Sequence, residues 1–279
     1  MKKKLFEGHG DHQEPFLTES EIGPFLHDFV ENSKLEQQVE TEFSDEGQPP
    51  YVTTVYCLKS AQKGEKQEIP YRALVVNKKD EGRNLMVTFY PCLEGIATTV
   101  EVLEVLEWGD KLQATIRALV ERDPDQFEFY FFATDYFANK DRYRVGTRIK
   151  ISLAASGNVK IASKGFDFEG QQAIDFLAKT GRRPTYDKDG NVEPVHFSLD
   201  KLVAFLPTME DLPDMAEFQS PVTNLALRYE SMGKPIRTGE ITLNQKTETK
   251  ALLYFNESCN PEEREGISGF IWLSGHLKP

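Results

Sequence analysis

His9 and His12 flank Asp11 in the stretch HGDH, a spacing that invites a metal-ligand reading. Coordination needs three or four donors converging on a rigid frame. Gly8 and Gly10 instead place the pair in a polar arm with no further ligand at hand. DKDGNVE, residues 187–193, has the carboxylate density of a calcium loop but not its order. Counted from Asp187 the glycine falls fourth rather than sixth, and counted from Thr185 the twelfth residue is His196 rather than a glutamate. Asp189-Gly190 therefore reads as a turn. Ser268 lies between glycines in GISGF without the second spacer of a nucleophile elbow, and neither a P-loop nor G-x-G-x-x-G occurs. Cys57 and Cys92 sit among apolar residues, where a thiol packs as a small hydrophobe, and Cys259 stands near Glu257, which disfavours a thiolate. These residues predict no catalytic group, no metal and no cofactor: the expectation is a protein that binds rather than reacts.

Chemistry concentrates in one place. Residues 136–164 hold Lys140, Arg142, Arg144, Arg148, Lys150, Lys160 and Lys164 against Asp141 alone, in a chain whose formal net charge is -12. A strand from Arg144 to Leu153 turns Val145, Thr147, Ile149, Ile151 and Leu153 to the core and Arg144, Arg148 and Lys150 outward together. On the strand before it, Tyr130 and Phe132 share the outward side. The candidate binding residues are thus Tyr130, Phe132, Lys140, Arg142, Arg144, Arg148 and Lys150. Cations beside aromatic faces suit single-stranded nucleic acid, each stacked base contributing about 1–3 kcal/mol. The same cations on the wet face of a sheet suit pairing with the chain's own carboxylates, or docking of an acidic region of another protein or of residues 31–46 of a second copy. An acidic whole repels nucleic acid at long range. A protein partner is therefore the first expectation, and single-stranded nucleic acid the alternative.

The elements that would position these residues follow from periodicity. A chain of 279 residues, 39% hydrophobic and 11% aromatic, can bury a sizeable core. Three scattered cysteines without ligand spacing fit a reducing compartment, and no apolar run approaches the roughly 20 residues of a membrane helix, so a cytoplasmic protein that does not engage membrane is expected. Residues 1–50 read as an acidic, solvated arm with one short helix near Glu19 to Glu40. From Tyr51 the period becomes two, with strands at 51–58, 71–76, 85–90, 99–107, 111–120 and 126–133, broken by turn signals at Lys63-Gly64, Asp80-Glu81-Gly82 and Gly109-Asp110. A polar insert, 134–143, precedes the strand at 144–153. A helix over 170–179 is closed by Gly181 and Pro184. Residues 182–221 form a proline-rich connection with a short helix at 199–205.

The order of elements then recurs about 120 residues later: strands at 222–228, 236–243 and 251–255, an insert, and GISGFIWLSGHL, which aligns with GTRIKISLAASG so that Gly146 falls on Gly266, Ile151 on Ile271 and Leu153 on Leu273. A three-strand meander, an insert and a glycine-led fourth strand resembles the oligonucleotide/oligosaccharide-binding fold in strand order, over 98–165 and more loosely 222–277. The expected fold is mainly β (β-rich α+β). It comprises a first β unit at 51–181 and a second, smaller one at 222–279, each antiparallel and barrel-like or sandwich-like, joined by a helix and the proline-rich connection.

Overall fold

The computed structural model describes residues 16–43, 51–60, 67–78, 83–108, 112–208, 212–231 and 233–278. The protein is mainly β: 59% of the described residues are strand, and three short helices lie among them. The HGDH motif and the turns expected at Lys63-Gly64, Asp80-Glu81-Gly82 and Gly109-Asp110 lie outside the described residues. Among those residues no helix is long and apolar enough to cross a membrane.

Helix α1 (Glu19–Asn32) forms where Ile22, Leu26 and Phe29 recur on one face. The Thr18 backbone N–H donates to the Glu21 carboxylate at 2.8 Å, satisfying one orphan amide of the first turn, and Lys234 holds the same carboxylate from across the fold. The helix stops at Asn32, short of the expected Glu40. Leu35, Val39 and Phe43 keep a spacing of four, but the chain from Lys34 pairs along β2 and is therefore a strand. β1 (Lys34–Phe43) lies antiparallel to β2 (Tyr51–Lys59). The two-residue β3 (Gln67–Glu68) is followed by β4 (Tyr71–Lys78) and β5 (Arg83–Pro91), which complete a four-stranded antiparallel sheet in the order β1-β2-β4-β5. Both faces of this sheet are covered. Tyr71, Ala73 and Val75 pack on Phe25 and Phe29 of α1, while Val55, Cys57, Leu74 and Val76 pack with Leu112 and Phe137. Phe16 and Leu17 are buried as well, so the described part of residues 1–50 is anchored on the core through Phe16, Leu17, Phe25 and Phe29, while most of β1 is exposed.

The larger sheet is built from two similar runs. The first is β6 (Ile96–Glu107), β7 (Ala114–Arg122), β8 (Asp125–Ala133), the one-turn α2 (Tyr136–Asn139) with a 3-10 turn at Lys140–Arg142, and β9 (Arg148–Ile161). β10 (Gly165–Phe168), α3 (Gly170–Lys179), β11 (Val195–Ser198) and β12 (Ala204–Pro207) intervene. The second run is β13 (Met215–Ser231), β14 (Lys234–Asn244), β15 (Thr249–Asn256) and β16 (Gly266–Leu277). The strand at the end of the expected connection thus begins at Met215. The helix expected at 199–205 is a turn, Leu202 N–H to Leu199 C=O at 2.9 Å, leading into β12. A helix of seven residues is marginal without tertiary support, and the segment gains more by pairing with β13.

The two runs do not make two separate antiparallel units. β9 and β16 pair antiparallel at the centre of one sheet, and each closes the other run's ring. One ring runs β6-β7-β8-β16-β9 and back to β6; the other runs β13-β14-β15-β9-β16 and back to β13. The joins β8 to β16 and β15 to β9 are parallel, so the nine-stranded sheet is mixed. The registers correspond residue by residue. Phe132 faces Ser274 in one join and Leu252 faces Ala154 in the other, so β8 and β9 map onto β15 and β16 with a shift of 120 (132 to 252, 154 to 274), while β6 maps onto the start of β13 with a shift of 118 (99 to 217). The alignment of Ile151 with Ile271 and Leu153 with Leu273 has the shift of 120. The glycine match slips by two: the amides that close onto Val102 and Val222 belong to Gly146 and Arg264, both left-handed at φ 80° and 69°. One core threads both rings, from Val102, Ile116, Phe131 and Leu153 to Ile241, Phe255 and Leu273.

α3 occupies residues 170–179 as expected. Its end is a complete Schellman motif: Arg182 N–H donates to Leu177 C=O at 2.8 Å, Gly181 N–H to Ala178 C=O at 3.2 Å, and Gly181 supplies φ 70°. Its Phe176 stacks on Phe168 of β10 and meets Phe197 of β11 edge-on.

Candidate binding surface

The basic stretch does not form one ridge. Val145 is 65% exposed and β9 begins only at Arg148, so the alternation predicted from Arg144 fails for its first half. The left-handed Gly146 turns the chain before the strand starts. Arg144 lies in that turn beside Asp141 at 3.6 Å. Lys140 pairs with Glu107, whose carboxylate also accepts the Tyr136 hydroxyl at 2.6 Å. Arg148 pairs with Glu121 of β7. Arg142 and Lys150 are exposed and have no ion pair among the described residues. Tyr130 is half-buried opposite Arg117, itself bonded to Glu128 at 3.0 Å. Phe132 is no stacking platform: Tyr90 lies 4.9 Å and Trp108 5.1 Å from it, centroid to centroid, and it is buried. A strand's outward side becomes interior wherever another layer covers it, and here the segment around Trp108 and the end of β5 do so. Exposed pairs of this kind contribute about 0–1 kcal/mol each, so they disperse the charge without locking it.

The acid, thiol and imidazole groups do not converge either. Among the described residues no three of His, Cys, Asp and Glu could hold a metal ion. Burial pushes the Cys57 thiol up to about 12 and raises Cys92 and Cys259 as well, so none is a ready thiolate. His196 Nδ1 lies 2.7 Å from Asp167 on the exposed two-stranded sheet of β10 and β11, with no hydroxyl or thiol bonded to the imidazole among the described residues. Asp187 caps its own turn by accepting the amides of Asp189 and Asn191 at 2.9 Å each, which lowers its pKa and confirms Asp189-Gly190 as a turn, with Gly190 at φ 81°.

A shaped surface lies elsewhere, on the outer face of β12-β13-β16-β9. Two cross-strand rows build it: Leu206, Glu217, Phe270 and Asn158, then Ala204, Gln219, Ser268 and Lys160. They line an open groove of about 570 Å³. Leu206 is 61% and Phe270 52% exposed, an apolar pair facing each other across Glu217. The strands here approach too closely for side chains at two glycines: a Cβ at Gly157 would stand 2.1 Å from the Phe270 carbonyl oxygen and one at Gly269 2.4 Å from that of Asn158. Glycine at these sites lets the β9-β16 pair close up beneath the Phe270 ring. Lys160 carries the groove's cation and has no ion pair among the described residues. Of the seven basic residues in 136–164 it alone lines this groove. In GISGFIWLSG the alternation of Ile267, Gly269 and Ile271 inward implies Phe270 outward, so that much was legible. Leu206, on a four-residue strand, carried no such signal.

The 120-residue correspondence gives this groove a counterpart. Glu217, Phe270 and Asn158 map onto Thr99, Lys150 and Lys278, since Thr99 pairs with Lys150 as Glu217 pairs with Phe270. Lys278 N–H donates to Lys150 C=O at 2.9 Å, completing the row. One end of the central strand pair is therefore apolar and walled by β12, and the other is basic and has no such wall among the described residues.

Comparison with protein-family models, with curated proteins and with solved structures found no match to this chain.

Proposed function

We propose that the protein is a non-enzymatic binding module for a protein partner, built on two OB-like strand orders and working in a reducing, cytoplasmic setting. The observation that carries the reading is the juxtaposition, in one groove on a glycine-tightened strand pair, of two exposed apolar side chains, Leu206 and Phe270, with Lys160, which has no ion pair among the described residues. An extended segment laid across the groove, over Glu217 and Gln219, would put an apolar side chain between Leu206 and Phe270 and a polar group against Gln219, Ser268 or Lys160. The ring and cation also favour the alternative, single-stranded nucleic acid. In that case Phe270 and Lys160 take the roles that Phe132 and the β9 cations were expected to fill.

Both readings meet in one experiment. Labelled single-stranded DNA and RNA and an array of labelled peptides are titrated at low and moderate salt against the parent protein, Phe270→Ala and Lys160→Glu. Peptide affinity that falls about tenfold in Phe270→Ala supports the protein-partner reading. Nucleic-acid affinity that falls with salt and in Lys160→Glu supports the alternative. If neither variant weakens the binding of any peptide or nucleic acid tested, the groove is removed from consideration.

A further inference from the structure

The first half of β6 is a strand edge with a place beside it that the second run fills and the first does not. β7 pairs with β6 only from Glu101 onward, and among the described residues no strand pairs with Ile96–Val100 on the side away from β9. The Lys278-to-Lys150 hydrogen bond fixes which way each residue of β9 points: even-numbered residues turn to β16 and odd-numbered ones to β6. Thr98 and Val100 therefore bond to β9, while Ala97 and Thr99, both exposed, turn their amides and carbonyls outward. In the second run the corresponding residues are Met215 and Glu217. There β12 lies antiparallel against them, with Leu206 opposite Glu217 and Thr208 N–H donating to Met215 C=O at 3.2 Å.

We propose that β6 binds an extended, acidic polypeptide segment of another protein as an added antiparallel strand, seated beside Ala97 and Thr99 as β12 is seated beside Met215 and Glu217. Chemistry selects the occupant. The incoming residue opposite Thr99 stands at the end of the row Thr99, Lys150, Lys278, two strands from Lys150, so a long acidic side chain there can meet the Lys150 ammonium across the small Thr99, with Lys278 adding positive charge behind it. Neither lysine has an ion pair among the described residues. A carboxylate at that position is complementary, whereas the apolar side chain that Leu206 supplies in the second run would face two cations. Glu101, next along the edge, limits the run of acid to alternate positions, which is the spacing a strand presents to one face. The site is separate from the Leu206–Phe270 groove.

The test uses two fluorescein-labelled ten-residue peptides, one alternating Glu and Val and one alternating Lys and Val, read by anisotropy at low and moderate salt. The Glu/Val peptide is expected to bind at least tenfold more tightly than the Lys/Val peptide and to slow amide exchange at Ala97 and Thr99. Thr99→Pro removes an outward N–H that β9 does not use and is expected to abolish binding; Lys150→Glu should reduce it about tenfold and Thr99→Val and Phe270→Ala should leave it intact. Circular dichroism confirms that each variant is folded, and Lys150→Glu decides the matter if Thr99→Pro is not. Equal affinity for the two peptides, no binding of either, or unchanged affinity in Lys150→Glu overturns the proposal. Self-association of the protein alone, lost in the same variants, would show instead that the edge pairs with a second copy.

Discussion

Arg72 shows how a single side chain holds the two sheets together. Its guanidinium, with 12% of its side chain exposed, grips Glu36 of β1 through Nε at 2.7 Å and Nη2 at 3.0 Å, and its Nη1 donates to the Thr134 carbonyl beyond β8. The Tyr90 hydroxyl donates to the same carbonyl at 3.1 Å. Arg72→Ala leaves the carboxylate of Glu36 and half of that carbonyl's bonding unmatched, so a loss of about 3 kcal/mol is expected in urea unfolding. The double replacement of Arg72 and Glu36 by Met should cost less than Arg72→Ala, and a larger loss would contradict this account. Asp214 makes a pH-dependent contribution. Burial lifts its carboxyl from 3.8 to about 7. A raised folded-state pKa means the stability is complete below pH 3.8 and falls away as pH rises through about 7. Asp214→Asn should therefore melt close to the parent at about pH 4 and above it at about pH 8, with a gain of up to about 4 kcal/mol. An equal difference at both pH values would refute the assignment.

At the scale of elements, glycines separate two kinds of constraint. Gly181 is left-handed with open space where a Cβ would stand, so Gly181→Ala should cost about 1 kcal/mol and increase amide exchange in α3 alone. Gly157 is closed by backbone, and Gly157→Ala should cost more, of order 2–3 kcal/mol, and disturb β16 as well. Hydrogen exchange distinguishes the two. The same contrast explains what was legible in the chain. The helix at 170–179 and its glycine cap were readable because periodicity and capping are local. The strands at 51–59, 71–78 and 125–133 were readable because alternation is local too. The strand at 34–43 was missed because its sequence is acidic and only weakly apolar, and its pairing with β2 supplies what its composition does not. Phe132 was misplaced because alternation gives the side of a strand and says nothing about what covers that side.

The whole molecule depends on the exchange of β9 and β16. Since one core contains residues from both runs, thermal unfolding should follow a single transition by circular dichroism and by Trp fluorescence alike. Two separated transitions would mean that the runs fold apart. Limited tryptic cleavage after the exposed Arg182 should give two fragments that still elute together in size-exclusion chromatography, because the joins between β9, β16, β8 and β15 do not involve that connection. The amino-acid sequence by itself determined most strands of the two runs, the α3 helix and the 120-residue recurrence, all of which arise from contacts between near neighbours or from the repetition of a pattern, while the strands at 34–43 and 204–207 carried no such signal. Only the tertiary structure decided which strand closes which ring, and therefore which aromatic faces water and which cations find carboxylates. Those outcomes rest on pairings between residues from tens to more than a hundred positions apart, such as Phe132 with Tyr90, Arg148 with Glu121 and Ile151 with Leu277, whose energies no local window of sequence contains.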